Sequence, residues 1–371
     1  MKKKILIITG ILPPDIGGPA LFTENYCKWL KKKNYKVEIL TLGDKKFYKK
    51  NNITIINRNA FFLFRFIKTV IAIINRSKKY KIILVNGLHL ETSFATFFSK
   101  SIFYFRVAGD KAWEFSKSKK ITNLSFDEFQ MKNNFFTLFL KFLRNLSLRR
   151  SSAIIVPSKY LKKIVINWNL NKKVYQINNS ALIERNRNTK IKKNKKFIIT
   201  SVARLVDWKN LRECIDAVKY FKNIEYNIIG DGPLLNYFKN YIHINGLNNK
   251  IILHGKKNHK YISKIMHKSS VFLLISSYEG MSHVILDAMK LKIPLVISHI
   301  PPNKEVIKHK SEGLMVNLKK KNDLLNKLKY LHKNPNLLNF FSNKAFKKYN
   351  KFFKKEINFS KYDKLIFNSK Y

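Results

Sequence analysis

The chain has 371 residues, 45% of them hydrophobic, and its 74 Lys and Arg outnumber 22 Asp and Glu, giving a formal net charge of +52. That length and apolar content suit two domains of ordinary size, each able to bury a core without disulfides or metals. Two cysteines, Cys27 and Cys214, are too few for a disulfide scaffold and lack the neighbours of a metal site or a catalytic thiol, and the charge favours polyanionic surroundings, either lipid headgroups or nucleic acid.

The amino terminus, MKKKILIITG, joins a basic start to a short apolar run. The run ends in a glycine- and proline-rich turn with no small-residue cleavage site, so it reads as a first buried strand and not as a signal peptide. No uninterrupted apolar stretch approaches the roughly 18 residues of a spanning helix. Short apolar runs then alternate with longer amphipathic ones, the pattern of a parallel sheet covered by helices. Strands are predicted at KILIIT, KVEILTL, ITIIN, KIILVN, SIFYFRV and SAIIVP, with helices over 19–32, 61–76 and 135–149 among them. Gly17 and Gly18 form the turn after the first strand. His89 and Asp110 follow later strands, at the edge where open α/β sheets bind ligands. A lone His is also a common structural hydrogen-bonder, and Asp110 could equally brace a turn. The segments FFLFRFIKTVIAIINR and FFTLFLKFLRNLSLRR combine dense Phe and Leu with Arg or Lys, as interfacial helices do, although helices covering a sheet also carry one apolar face.

The polar, basic stretch NRNTKIKKNKK, residues 186–196, reads as a connector. After it the alternation resumes with strands at FIITSVARL, YNIIGDG, KIILHG, VFLLISS and PLVISHI, and helices starting near Asn210, Pro233, Tyr261 and Ser282. From Lys319 onward the chain looks helical. The expected organisation is α/β: two Rossmann-like, doubly wound domains over 1–180 and 195–340, and a helical segment over 341–371 packing back toward the first.

The second half holds the denser chemistry. Arg204 and Lys209 flank the start of a helix, and two fixed cations beside a helix N-terminus suit a phosphate or diphosphate, or are simply a solvated loop of a basic protein. Gly230, Asp231 and Gly232 allow a tight turn with close backbone approach. In SSYEGMSHVILDAM, Gly280 permits an unusual backbone angle, Ser282 is a natural helix cap, and the N–H groups from Gly280 through Met281 and Ser282 to His283 are donors at a helix start. Glu279 points from the loop, and Asp287 follows about 7 Å along the helix at 1.5 Å per residue. Two carboxylates so spaced suit a ligand with two polyol parts, such as a sugar and a ribose.

Taken together, VARLVDWKN, IIGDGPL and SSYEGMSHVILDAMKLKIPLVIS resemble the donor-binding half of the family 4 retaining glycosyltransferases, and DIGGPA, the histidine after NGL, VAGDKAWE and IIVPSKYL resemble the other half. The resemblance implies the GT-B fold, with two domains facing each other across a cleft, and transfer of a sugar from a nucleotide sugar with retained configuration to a glycan or lipid-linked glycan in surface polysaccharide synthesis. Arg204 and Lys209 would hold the diphosphate, Glu279 and the backbone of Gly280 to Ser282 the donor sugar, and Asp287, one carbon shorter than the family's usual Glu, the ribose. Gly17 and Gly18 would approach the phosphates or the acceptor, with His89 and Asp110 as further sugar or acceptor contacts. SHIPPNKE departs from the family's glycine-rich version, so no ligand role passes to Asn303 or Glu305. No Asp-x-Asp dyad follows a strand, so neither a divalent metal nor another cofactor is expected. With the positive charge, this gives a cytoplasmic enzyme at the inner membrane surface. The competing readings are a polyanion-binding protein on the same scaffold, against which there is no recognition-helix, zinc-finger or RNA-binding motif, and a nucleotide-sugar epimerase.

Overall fold

The computed structural model describes residues 3–15, 17–44, 48–50, 52–183 and 196–368. The chain divides into two compact units, Met1–Asn178 with Phe359–Tyr371, and Asn179–Asn358.

The first unit is built on eight strands: β1 (Lys4–Thr9), β2 (Lys36–Gly43), β3 (Tyr48–Lys50), β4 (Ile53–Asn57), β5 (Ile82–Asn86), β6 (Ile102–Arg106), β7 (Ala153–Val156) and β8 (Val174–Gln176). Their order is β3-β4-β2-β1-β5-β6-β7-β8, and every pair is parallel except β3 with β4. Ile5, Leu6, Ile7 and Ile8 of β1 are all fully buried, since helices cover both faces of a parallel sheet. Among the described residues its helices are α1 (Gly18–Lys32), α2 (Phe62–Ser77), α3 (His89–Ala95), α4 (Lys111–Ser118), α5 (Phe126–Met131), α6 (Phe135–Arg149) and α7 (Lys159–Ile166), with most of a last helix, Lys355–Asn368. The chain end packs here too. Asp363 accepts hydrogen bonds from Tyr26 (3.0 Å) and Trp29 (2.9 Å) and pairs with Lys33 at 2.8 Å, while Phe359 and Tyr362 pack against Phe22 and Tyr26 of α1.

The second unit holds six parallel strands, β9 (Phe197–Val202), β10 (Ile224–Ile229), β11 (Ile251–Gly255), β12 (Val271–Leu274), β13 (Leu295–Ser298) and β14 (Leu314–Val316), ordered β11-β10-β9-β12-β13-β14. Its helices are α8 (Leu211–Val218), α9 (Leu235–Ile244), α10 (His259–Met266), α11 (His283–Lys290), α12 (Pro301–Val306), α13 (Asp323–Lys333) and α14 (Pro335–Phe352). One core gathers Ile199, Ile215, Val218 and Leu273, the other Phe272, Ile285, Ala288 and Met289. Strand order reverses between β9 and β12, so the loops leaving these two strands at their carboxyl ends diverge and leave a crevice.

The units differ from the expected boundaries. Ala181 and Ile183 belong to the second core, as do Ala345, Tyr349 and Phe353, so the second unit begins earlier than 195 and ends later than 340. Of the 341–371 segment, only the part from Phe359 groups with the first unit. Most of the 186–196 connector lies outside the described residues. Both cysteines are free and buried, and burial pushes the Cys27 thiol up to about 12.

Candidate functional site

The crevice of the second unit is built from three loops. The chain leaving β9 runs beside the turn after β10: Ala203 N–H donates to Ile229 O (3.0 Å), Leu205 N–H to Asp231 O (2.9 Å) and Leu234 N–H to Leu205 O (3.2 Å). This contact explains the glycines. A Cβ on Gly230 would stand 1.8 Å from Ala203 O, and one on Gly232 2.4 Å from Leu205 O. Between these anchored residues Arg204 projects, its side chain exposed and without a hydrogen bond or ion pair among the described residues, while its carbonyl accepts from Val206 N–H at 3.0 Å. Asp231 is also exposed, and its carboxylate accepts from the Gly232 N–H at 2.7 Å.

A short turn, Asp207–Lys209, then ends at Asn210, whose left-handed backbone (φ 50°) starts α8. Asn210 Nδ2 donates to Ile275 O at 2.9 Å and Ser277 N–H to Trp208 O at 2.8 Å, which ties this turn to the loop after β12. The tie brings two of the expected residues together: Lys209 Nζ lies 2.5 Å from Glu279 Oε1. Ser276 Oγ donates to the same oxygen at 2.7 Å. The Ser276 carbonyl in turn accepts from Ser298 Oγ at 2.5 Å, and Asn303 Nδ2 reaches Ser298 O and Oγ at 3.0 and 3.1 Å. Glu279 is thus held through a relay that starts at the end of β13. Sequence reasoning assigned nothing to Ser298 or Asn303, because a polar residue after a strand does not reveal which neighbouring loop it supports. Asn303 Oδ1 is buried without a hydrogen-bond partner.

Ser282 does occupy the N-cap of α11, but its side chain makes no capping bond, and Gly280 is absent from the glycines with positive φ. The loop is shaped instead by the 179–183 segment. Asn179 Nδ2 donates to Met281 O at 2.7 Å, and His283 Nδ1 lies 2.8 Å from Ser180 O.

Asp287 departs from expectation. Its carboxyl is buried, and Oδ1 accepts the N–H groups of Leu182 (2.6 Å) and Ile183 (2.9 Å). It therefore pins the incoming chain to α11 and is not presented as an open acceptor for ribose. Burial pushes its pKa up to about 6, outweighing the two N–H donors.

In the first unit, Gly17 caps α1, which begins at Gly18, and a Cβ on Gly17 would touch Ile11 Cδ1 at 3.0 Å. His89 is half-buried at the start of α3, stacked on Phe105, with Nε2 3.1 Å from Arg106 O. Burial, aided by the Lys111 charge, pushes its imidazole down to about 3, so the ring is neutral at physiological pH. Of the two roles open to Asp110, a sugar contact and a turn brace, the structure favours the second. The residue is completely buried and caps α4 by accepting from Ala112 N–H at 3.0 Å. Its other oxygen takes Arg144 Nη1 at 2.7 Å and Gln130 Nε2 at 3.0 Å. An acid with these partners braces a turn and does not contact a sugar.

Residues 183–348, nearly the whole of the second unit, match the family "Glycosyl transferases group 1". That segment is similar to the group 1 glycosyltransferases. Two curated relatives align with the chain: the UDP-Gal:alpha-D-GlcNAc-diphosphoundecaprenol alpha-1,3-galactosyltransferase of Escherichia coli, 34% identical over 37% of this chain and 36% of that protein, and the N-acetylgalactosamine-N,N'-diacetylbacillosaminyl-diphospho-undecaprenol 4-alpha-N-acetylgalactosaminyltransferase of Campylobacter jejuni, 30% identical over 58% of this chain and 60% of that protein. The chain thus spans between about a third and three fifths of these relatives. Among solved structures, sucrose-phosphate synthase of Thermosynechococcus elongatus is similar with a TM-score of 0.80 over 98% of both chains at 14% identity. That likeness carries the fold, the GT-B class of two parallel-sheet α/β units. Within the matched segment, Arg204, Lys209 and Glu279 stand on the loops of β9 and β12, at the reversal of strand order.

Proposed function

We propose that this protein is a retaining glycosyltransferase that moves a sugar from a nucleoside-diphosphate sugar to a glycan or lipid-linked glycan, without a divalent metal, at the cytoplasmic face of the membrane. The observation that carries this reading is the Lys209–Glu279 pair at 2.5 Å, with exposed Arg204 on the same loop, at the strand-order reversal of the matched segment. Arg204 and Lys209 neutralise the diphosphate as it departs, a role a metal would otherwise take. Glu279, oriented by Ser276, accepts hydrogen bonds from donor-sugar hydroxyls. In the reaction the bond from the anomeric carbon to the phosphate oxygen breaks while the acceptor oxygen bonds on the same face. The departing phosphate oxygen takes the acceptor's proton. The two curated relatives are named for diphosphoundecaprenol-linked acceptors, which supports the lipid-linked class. Among the described residues no helix is long and apolar enough to cross a membrane, which is consistent with peripheral residence.

The test is thermal stabilisation by UDP, GDP, ADP, CMP and their sugars, in EDTA and then in Mg²⁺, because a ligand that binds only the native state raises its melting temperature. One nucleotide should stabilise the protein in EDTA. Lys209→Ala should abolish that shift, and Glu279→Ala should weaken it for the sugar form alone. A shift only with Mg²⁺ would overturn metal independence. No shift with any nucleotide, beside a strong shift with generic DNA, would favour the polyanion-binding reading that the +52 charge keeps as second choice.

A further inference from the structure

Three neighbouring helical elements of the first unit bury mostly polar or small residues, with Ile73 and Leu148 as the larger apolar exceptions, and turn aromatic residues outward. In α6 the buried side chains are Thr137, Lys141, Ser147 and Leu148, whereas Phe135 is 82% exposed and Phe139 and Phe142 are more than half exposed. In α2 Thr69, Ala72, Ile73 and Ser77 are buried and Phe64 is 61% exposed. In α3 and the turn that follows it Thr92, Ser93, Ala95 and Thr96 are buried, while Phe97, at 61%, and Phe98, at 70%, face outward. The inward hydroxyls are satisfied locally: Thr69 donates to Arg65 O at 2.7 Å, Thr92 to Leu88 O at 2.7 Å and Ser147 to Arg144 O at 2.7 Å. These elements form one surface, because α3 packs against both α2 and α6 and Phe94 meets Phe66 edge-on at 5.4 Å.

A helix that covers a sheet ordinarily turns its apolar stripe to the core. Here the stripe faces out on three adjoining elements, and so large an exposed apolar patch marks an interaction site. Its charge identifies the partner. Segments 61–80, 92–109 and 133–152 contain no Asp or Glu, and Glu91 in the first turn of α3 is the one acid on these elements. Cations stand among the rings, with Lys68 5.7 Å from the Phe64 ring and Arg150 4.0 Å from that of Phe97. Aromatic rings interleaved with Arg and Lys suit the boundary between anionic headgroups and acyl chains, where both components are favourable.

We infer that the α2, α3 and α6 face is a docking surface for an anionic lipid bilayer, its phenylalanines entering the interface and its cations meeting the headgroup phosphates. The inference deepens the proposed function, resting on its reading of a lipid-linked acceptor, and it names the surface by which that reading would be served.

The full chain would be sedimented with vesicles of phosphatidylcholine alone or mixed with phosphatidylglycerol, at low and high salt. Wild type should bind the mixed vesicles at low salt, bind phosphatidylcholine weakly, and be released by salt. The pairs Phe135→Ser with Phe139→Ser, and Phe97→Ser with Phe98→Ser, should each weaken binding by roughly tenfold or more, since two apolar side chains leave the interface. These residues are exposed, so circular dichroism of the variants should match wild type. Equal binding by folded variants, or no binding by wild type, would overturn the inference. So would self-association of wild type that the substitutions abolish, because a second copy would then cover the face. Nucleotide stabilisation, measured on the same samples, separates the two readings: vesicle binding without a nucleotide shift sinks the transferase and leaves the docking surface standing, and the reverse result sinks the docking surface alone.

Discussion

Asp287 shows how one side chain can be placed by the chain that precedes it. Its Oδ1 accepts two backbone N–H groups, yet burial dominates and pushes its pKa up to about 6, against about 3.9 in an unfolded chain. Between pH 4 and 6 the native state therefore holds the proton more often than the unfolded state, so this group's contribution falls as pH rises through that window and the full cost is present above it. Asn at this position keeps an acceptor for both N–H groups and removes the titration. Asp287→Asn should gain stability relative to wild type as pH rises from about 4 to about 6, by about 2–3 kcal/mol, with a constant difference above pH 7. Urea midpoints across that range measure it; an Asn variant that instead loses stability relative to wild type as pH rises would mean that a charged carboxylate is what holds Leu182 and Ile183. That Lys209 and Glu279 border one crevice was legible in the sequence, because both residues follow strands next to helix starts, but their direct pairing was not. Nor were Asp287 and Asp110, since an acid near a helix start reads alike whether it binds a ligand or an N–H group. Only the segment packed against it decides, and for Asp287 that segment lies over a hundred residues away in sequence.

Loops position the cations, and the loops depend on backbone contact. The turn after β10 touches the chain leaving β9 so closely that Gly230 and Gly232 admit no side chain, with Ala203 O and Leu205 O where a Cβ would go. The Gly230 backbone also lies at φ +153°, which L residues rarely adopt. Gly230→Ala should therefore force Ala203 and Arg204 aside, destabilising the protein by on the order of 3 kcal/mol. It should also reduce nucleotide stabilisation more than the lost stability alone predicts. A variant with an unchanged urea midpoint would show that the loop yields freely. The strands that form the two sheet centres were readable as apolar runs, because burial on both faces removes polar alternation. The three-residue strands β3, β8 and β14 were not, since so few residues show no period. Dense Phe in α2 and α6 was also visible, but periodicity gives a stripe without saying which way it faces. The direction follows from the opposite side, where small hydroxyl residues such as Thr69, Thr137 and Ser147 are buried beside only a few apolar ones such as Ile73 and Leu148.

Across the whole chain, 22 acids can neutralise at most 22 of the 74 Lys and Arg, which leaves the excess of 52 cations to repel one another. Folding crowds these charges, so self-repulsion opposes the compact state. Salt acts in two directions, screening that repulsion and weakening the attractive pairs. Some of those pairs, such as Lys28–Glu24 and Arg212–Asp216, are exposed, and an exposed pair contributes about 0–1 kcal/mol. Repulsion among 52 uncompensated charges is the larger effect, so salt should stabilise. Raising NaCl from about 0.02 to 0.3 M shortens the screening length from roughly 20 Å to under 10 Å and should raise the first unfolding midpoint by on the order of 5 °C. Scanning calorimetry at fixed pH measures it, and a midpoint that falls with salt would show that local pairs outweigh the net charge. The same cations attract the protein to anionic lipid, where salt must weaken the contact. A protein that leaves vesicles in the salt range where its fold becomes more stable has been released by screening of headgroup attraction, because unfolding would require the opposite trend.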